Sequence, residues 1–445
     1  MSTIVYRITC LLTQVLEDVP IGTNLGLFHL LFALLSGRFL PARGAVIPAL
    51  SSLGLSPAVV LRGNAALAYG SWHIQSLLDR WQKCVKHEGQ FVPSSYEGVQ
   101  PVACDLTAFF RPQLQGLKSK HYVSQAGKAL PAVVFGLSVA VGHVGSQRLG
   151  VPRLILRRET HENEATLQTR LVRQVHKTLS PEEAAIVDAG FGLSDLLGIT
   201  DLRFVARVRT NQSARRNFLP VYGGKGARPK RGELVRPLPR TRKGKTIAPT
   251  APDAIARWSD GQYDLEAHVW NDLVLPDQKP GARTFRVVAI YDPRYKEPLL
   301  LATALTVSAW AVWRLYRDRW AVEQLPLAAK SMLGAERSFV FGKESRFRLP
   351  ELALLAGNLL SYVAATSAPV ASGFWDRAAR PTCGRLRRVL AAVHSAELPI
   401  PSGELRKKES VTSHLKTGVE GHRRQKEIRR PFAPKSPTTK VAQAA

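Results

Sequence analysis

The stretch AAIVDAGFG, Ala184–Gly192, decides how the middle of this chain is read. Four apolar residues end at one acid, Asp188, and Gly190 and Gly192 close the turn behind it. That is a compact strand delivering a carboxylate to its end, where open α/β sheets gather their ligands. Working back, a polar-amphipathic helix from about Glu162 to Leu179 precedes the strand, and Pro131–Val141 (PAVVFGLSVAV) and Arg153–Leu156 read as earlier strands. Further back, Val102–Cys104 is a short apolar run ending at a second acid, Asp105. Strands, a helix, then a strand bearing an acid is the order of a mixed α/β domain and not of a sandwich.

Beyond residue 210 the order breaks. NQSARRNFLPVYGGKGARPKRGELVRPLPRTRKGKT, Asn211–Thr246, is rich in Gly, Pro and basic residues and reads as a surface loop. Tyr263–Leu275, Phe285–Tyr291 and Leu299–Ala304 are then strand candidates. The simplest account is a β-rich insertion at 210–300, carrying the basic loop, between two parts of one α/β domain, 96–209 and 301–370. Leu349–Thr366 is a strongly apolar helix expected to pack against the sheet. Residues 1–95 read as helical. Ser56 at the N-cap and Pro57 at the first position open a helix to about Ala68, and another runs from Trp72 to Val85. Helix, Gly54 turn and capped helix suit a helix-turn-helix reader of DNA, and suit a plain helical bundle equally. Residues 371–445 read as helical and then basic, with a disordered tail expected from about 400.

At 445 residues the chain exceeds the size of a single core, so two or three domains are expected. Its 62 Lys and Arg stand against 34 Asp and Glu, for a formal charge of +28. Such an excess calls for a polyanion, and nucleic acid is the usual one. Cys10, Cys84, Cys104 and Cys383 form no CxxC pair, so neither a zinc site nor a disulfide framework is suggested, and a reducing cytoplasm fits. The N-terminus lacks a basic region followed by a clean apolar core, which argues against a signal peptide. Pro298–Trp313 is apolar enough to suggest a membrane span. Thr303, Thr306 and Ser308 interrupt it, and Arg314, Arg317 and Arg319 follow at once, so a buried strand running into a helix explains it better.

A third acid lies in YRDRWAVEQLPLAAK, Tyr316–Lys330. Tyr316, Arg319 and Glu323 are spaced i, i+3 and i+7 and would share one face of a helix. Taken alone, such a face is an amphipathic helix with a solvated charged edge. Taken with Asp105 and Asp188, Glu323 completes a set of three carboxylates. Three hard-oxygen donors at a sheet crevice suit two Mg²⁺ ions, with Mn²⁺ as a substitute. Such ions activate a water or a 3′-hydroxyl and stabilise the leaving oxygen of a phosphodiester.

These segments resemble those of insertion-sequence DDE transposases whose last acid lies in a Tyr-Arg-Glu-Lys signature. Tyr316, Arg319, Glu323 and Lys330 match its four positions at the right spacing. VDAGFG, Val187–Gly192, is similar to the family's second-acid segment, and CDLTAF, Cys104–Phe109, to its first. The resemblance covers about 100–370. It implies a ribonuclease-H-like mixed sheet with a β-rich insertion, and a magnesium-dependent endonuclease that cuts at terminal inverted repeats and joins 3′ ends to target DNA. It implies Asp105, Asp188 and Glu323 as catalytic metal ligands, with Tyr316 and Arg319 on a phosphate or extruded base and Lys330 on a backbone phosphate. Trp258, in the insertion, could stack on such a base, and reads otherwise as an ordinary strand aromatic. The implied partners are double-stranded DNA, as element ends and target, and a second copy of the chain on paired ends. No membrane is implied, and the setting is the bacterial cytoplasm at the nucleoid. Two departures stand out. Pro326 should kink or restart the helix before Lys330, and Leu106 replaces an acid that often follows the first Asp. A catalytically inactive, transposase-derived DNA-binding protein or repressor is the alternative reading, and a nuclease without strand transfer is a third.

Overall fold

The computed structural model describes residues 3–394 apart from positions 112, 115, 116, 124, 125, 225, 243, 372, 378 and 381, together with 398, 405 and 406. The tail expected to be disordered lies, but for two positions, outside the described residues. In chain order the elements begin with helices α1 (Thr3–Val15), α2 (Thr23–Leu35), α3 (Val46–Ser51), α4 (Pro57–Tyr69) and α5 (Ile74–Glu88). Strands β1 (Val92–Pro93), β2 (Gln100–Phe110), β3 (Lys120–Val123), β4 (Lys128–Val144) and β5 (Gln147–Arg157) follow, then α6 (Glu164–His176), β6 (Glu183–Val187), α7 (Leu193–Leu197) and β7 (Phe204–Arg207). Next come β8 (Ala214–Arg216), β9 (Leu234–Val235), β10 (Arg240–Arg242), β11 (Lys245–Ile247), β12 (Ala254–Asp260), β13 (Tyr263–Val274), β14 (Phe285–Tyr291) and β15 (Leu299–Thr303). The last are α8 (Ala309–Asp318), α9 (Ala321–Leu327), a π-helical turn (Ala328–Met332), α10 (Ser345–Thr366) and α11 (Cys383–Ala391).

The chain divides into two compact units, each assembled from separated stretches. The first takes residues 1–90, 108–135 and 325–445, and the second takes 91–107 and 136–324. Residues 1–95, expected to stand as a domain of their own, therefore mostly share a unit with the C-terminal helices. The reason is visible in α2 and α10. Every residue of α2 (TNLGLFHLLFALL) is buried, and α10 is buried along most of its 22 residues. A helix that is apolar all round needs partners on every side. Hence α10 packs on α2, α4, α5 and α11 and not chiefly on the sheet, as its sequence had suggested. It is the one described helix long and apolar enough to cross a membrane, and its apolar length is spent inside the protein. Asn358 on α10 accepts a 2.7 Å hydrogen bond from the Trp81 indole of α5, satisfying two polar groups in this core. Where α2 crosses α4, a Cβ at Gly26 would stand 2.6 Å from that of Ala66, so the crossing needs glycine.

The second unit is a mixed α/β structure around a large mixed sheet. Its strand order is β1-β4-β2-β6-β7-β15-β14-β13-β8-β9, with β12 on β13 and β5 on β4. The strands β2, β6 and β7 are parallel neighbours; β7, β15, β14 and β13 run antiparallel in turn. The three expected strands, now β13, β14 and β15, thus extend the main sheet; the stretch read as a basic loop adds β8 and β9 to it and folds β10 and β11 into a separate hairpin. All five residues of β6 are buried, as an apolar run covered on both faces requires. Alternation then sorts its neighbours. Val102, Cys104, Ala185, Val187, Phe204 and Ala206 face one core, which α6 covers with Leu171, Val172 and Val175. Ala184, Ile186, Val205 and Leu301 face the other, which α8 covers with Val312, Trp313 and Leu315. The apolar run around Pro298–Trp313 resolves into β15 followed by α8, capped by the Ser308 hydroxyl, which accepts from the Ala311 N–H.

Candidate active site

The acid site is built by strand register. In the parallel pair, Ala103 of β2 stands level with Ile186 of β6, the last pair of that ladder. Two residues further on, Asp105 and Asp188 come level with each other, just past the carboxyl end of β6. Both fall on the face covered by α8, because Cys104 and Val187 face the opposite core. Asp105 is therefore not the end of its own strand, which continues to Phe110; it is the point where pairing with β6 stops. Leu106, the residue in place of a second acid, packs toward the other core.

Helix α8 brings the remaining groups across that face. The Tyr316 hydroxyl donates to Asp188 Oδ1 at 3.0 Å. Arg319 donates from Nη1 to Asp105 Oδ2 at 3.0 Å and from Nη2 to Glu323 Oε1 at 2.7 Å, and its Nη2 lies 3.8 Å from Asp188 Oδ2. One guanidinium thus touches all three acids, with its Cζ 5.7 Å from the Tyr316 ring centre. The expected single helical face is interrupted: α8 ends at Asp318, and α9 begins at Ala321. The i, i+4 pairing of Arg319 with Glu323 spans the break.

Two shifts describe the electrostatics. Burial pushes the Asp105 carboxyl up to about 6; Arg319 and the Leu106 N–H pull it back, while Glu323 and Asp188 push it further. Burial, then the Asp188 carboxylate, pushes the Tyr316 phenol up to about 12, so it stays a hydrogen-bond donor at neutral pH.

The residue between the two arginines of YRDRW anchors this arrangement. Asp318 is fully buried, 2.9 Å from the Tyr96 hydroxyl that donates to it and 3.0 Å from Arg148 Nε. Arg148 also donates to the Arg317 carbonyl. The end of α8, and with it Tyr316 and Arg319, is tied to the body of the unit by a buried ion pair.

Beside the acids opens a cleft of about 1090 Å³. Asp188, Tyr316 and Arg319 line one side of it, and Arg207, Arg209, Arg294, Lys296 and Arg317 supply further positive charge. Two of its aromatics are exposed, Tyr295 at 70% and Trp320 at 56%. None of these seven was a candidate from the sequence. Trp320 carried a signal, since it follows Arg319 directly, and the α8–α9 break is what turns it outward. No protein-family model and no curated protein matches this sequence.

Trp258, on β12, packs its ring against Trp313 of α8 at 5.6 Å and belongs to the hydrophobic packing beneath that helix. Lys330 belongs to the first unit, in the π-helical turn that follows Pro326, where its ammonium sits 5.2 Å from the Phe109 ring and burial holds its pKa down. Pro326 itself remains within α9, and the irregularity falls just after it.

For a divalent cation the donors have the right chemistry, three carboxylates whose oxygens already gather on one cationic group, the guanidinium of Arg319. Among the described residues, however, no three acidic, His or Cys side chains stand close enough together to hold one ion as arranged here. The acids are spread around a guanidinium, which is wider than a metal ion.

Proposed function

We propose that this chain is a metal-dependent DNA-cleaving and strand-joining enzyme, a DDE transposase with a ribonuclease-H-like catalytic core. The observation that carries the reading is the meeting of Asp105, Asp188 and Glu323, from three distant parts of the sequence, around Arg319 and beside Tyr316. A stability role alone does not call for three carboxylates at the open end of a parallel strand pair. The cleft beside them supports the substrate class. Arg207, Arg209 and Lys296 offer charge to a phosphodiester backbone, while Arg294 is paired with Asp260 and Asp292, and Arg317 with Asp260. Tyr295 and Trp320 offer exposed rings for bases.

In this reading Asp105, Asp188 and Glu323 hold Mg²⁺, which when bound supplies activation of the attacking oxygen and stabilisation of the leaving one. Arg319 orients the phosphate by charge, and Tyr316, whose hydroxyl stays protonated, holds Asp188 in place beside it. The basic character of the whole chain, +28, holds the DNA in a salt-dependent manner.

The test is a cleavage assay with Mg²⁺ on the DNA that adjoins the two ends of the coding region, taken with whatever inverted repeats it carries, for wild type, Asp188→Asn and Glu323→Gln. Nicked and joined products from wild type only are expected. Nicking without joining would mean a nuclease of the same core. Salt-sensitive binding with no cleavage by any of the three proteins would instead mean a DNA-binding derivative. That second reading draws on one observation, the engagement of all three acids by Arg319.

A further inference from the structure

We infer that Arg319 and a divalent cation are alternative occupants of the same three carboxylates, so that metal binding releases Arg319 from the acids toward the cleft. The inference rests on the metal-dependent reading above. Its grounds are geometric. Arg319 spends Nη1 on Asp105 and Nη2 on Glu323, with Asp188 within ion-pair distance, and only 11% of its side chain is exposed. Its Nε is buried without a hydrogen-bond partner among the described residues. The guanidinium is therefore committed on its acid side and keeps one donor in reserve. A carboxylate oxygen that accepts from a guanidinium has lost its best-placed lone pair for a metal, and an ion taking that oxygen meets the guanidinium charge directly.

Only two outlets suit a displaced guanidinium here. Remaining beside the acids and the ion would place like charges together in a partly buried site. The cleft, which Arg319 already lines, offers water and, with substrate present, phosphate oxygens. The same side chain thus holds the acids together in the metal-free protein and becomes a phosphate ligand in the loaded one. Tyr316 does not take part in the exchange, because its hydroxyl holds Asp188 from the other oxygen. The exchange is reciprocal: whatever holds Arg319 in the cleft must tighten metal binding by the same factor.

Two measurements on the full chain, both without catalysis, test this. The first follows free Mn²⁺ by its electron paramagnetic resonance signal during titration of wild type, Arg319→Met and Asp188→Asn. Arg319→Met is expected to bind Mn²⁺ at least about tenfold more tightly than wild type, and Asp188→Asn more weakly. Equal or weaker binding by Arg319→Met, with Asp188→Asn still impaired, would overturn the exchange and leave the metal reading standing. Mn²⁺ binding by neither wild type nor Arg319→Met would remove the metal reading itself. The second measurement uses wild type alone and holds even where the variant does not fold. Phenylglyoxal labelling is read at Arg319 by peptide mass spectrometry, with EDTA and with saturating Mg²⁺. Labelling of Arg319 at least about threefold faster with Mg²⁺ is expected, and an unchanged or slower rate refutes the displacement.

Discussion

Replacing Asp318 with alanine leaves Arg148 and Tyr96 facing a void where a carboxylate stood. Asp318 is fully buried, with Arg148 Nε at 3.0 Å and the Tyr96 hydroxyl at 2.9 Å. Breaking one side of a buried ion pair costs about 3 to 5 kcal/mol, because the remaining charge is neither hydrated nor compensated. The Arg148 side chain keeps 29% of its surface exposed, which lets water reach part of the orphaned guanidinium and places the expected loss near the lower end, about 3 kcal/mol. With a urea slope of about 2 to 3 kcal/mol per molar, the unfolding midpoint of the second unit falls by about 1 to 1.5 M. Amide exchange of α8 reports the same loss locally, since the pair ties down the end of that helix. Asp318→Asn keeps the shape and an acceptor for Tyr96 and should fall between. Adding Arg148→Met to Asp318→Ala removes both charges and should recover part of the loss. A midpoint within about 0.3 M of wild type for Asp318→Ala, or a double variant as unstable as the sum of the singles, would refute the account.

Three further expectations follow from the same structure. Burial works against the Glu183 carboxylate, but Arg153 and the Ser180 N–H outweigh it and hold its pKa below the ordinary glutamate value. The unfolded chain then takes up a proton at higher pH than the folded one, so this stabilisation is complete above the ordinary pKa and lost as pH falls through the lowered one. Urea midpoints measured from about pH 6 down to about pH 3 should decline less steeply for Glu183→Gln than for wild type. Trp258→Ala should cost about 2 to 3 kcal/mol, below the range for a fully buried tryptophan because Trp258 is only half-buried, and should leave DNA affinity by fluorescence anisotropy unchanged. Gly26→Ala puts a better helix former in α2, yet its Cβ would meet that of Ala66 at 2.6 Å; a loss of about 1 to 3 kcal/mol in thermal or urea unfolding is expected.

What could be read without coordinates follows from the range over which each signal acts. The strand of Ala184–Val187 and its acid were legible because an uninterrupted apolar run with glycines behind it has few other solutions. Phe285–Tyr291 was legible to the residue because its β-branched and aromatic residues are bounded by Gly281 before and by Asp292-Pro293 behind. Asp105 was placed at a strand end, whereas its strand runs five residues further; what ends there is its pairing, a property of β6. Asp318, flanked by two arginines, reads as a solvated charge, and nothing local shows that Tyr96 and Arg148 bury it. Trp258 reads from the sequence as a stacking ring or a core ring, and its contact with Trp313, a residue far along the chain, is not visible there. The composite units are the least legible feature, since α2 and α10 lie some three hundred residues apart and nothing local says that each needs the other.

The level pairing of Asp105 with Asp188 has a consequence for how the gene can vary. In a strand, each added or deleted residue turns every following side chain to the opposite face. One codon gained or lost between Gln100 and Asp105 would therefore send that acid to the α6 side and exchange the faces of the rest of β2, Phe109 included. Within the basic stretch, β8 and β9 pair in the main sheet and keep the same parity, whereas the connection between them carries none and tolerates changes of length. In a library of single-codon insertions and deletions, loss of function should concentrate in the few codons before Asp105 and Asp188, while the connection between β8 and β9 stays permissive.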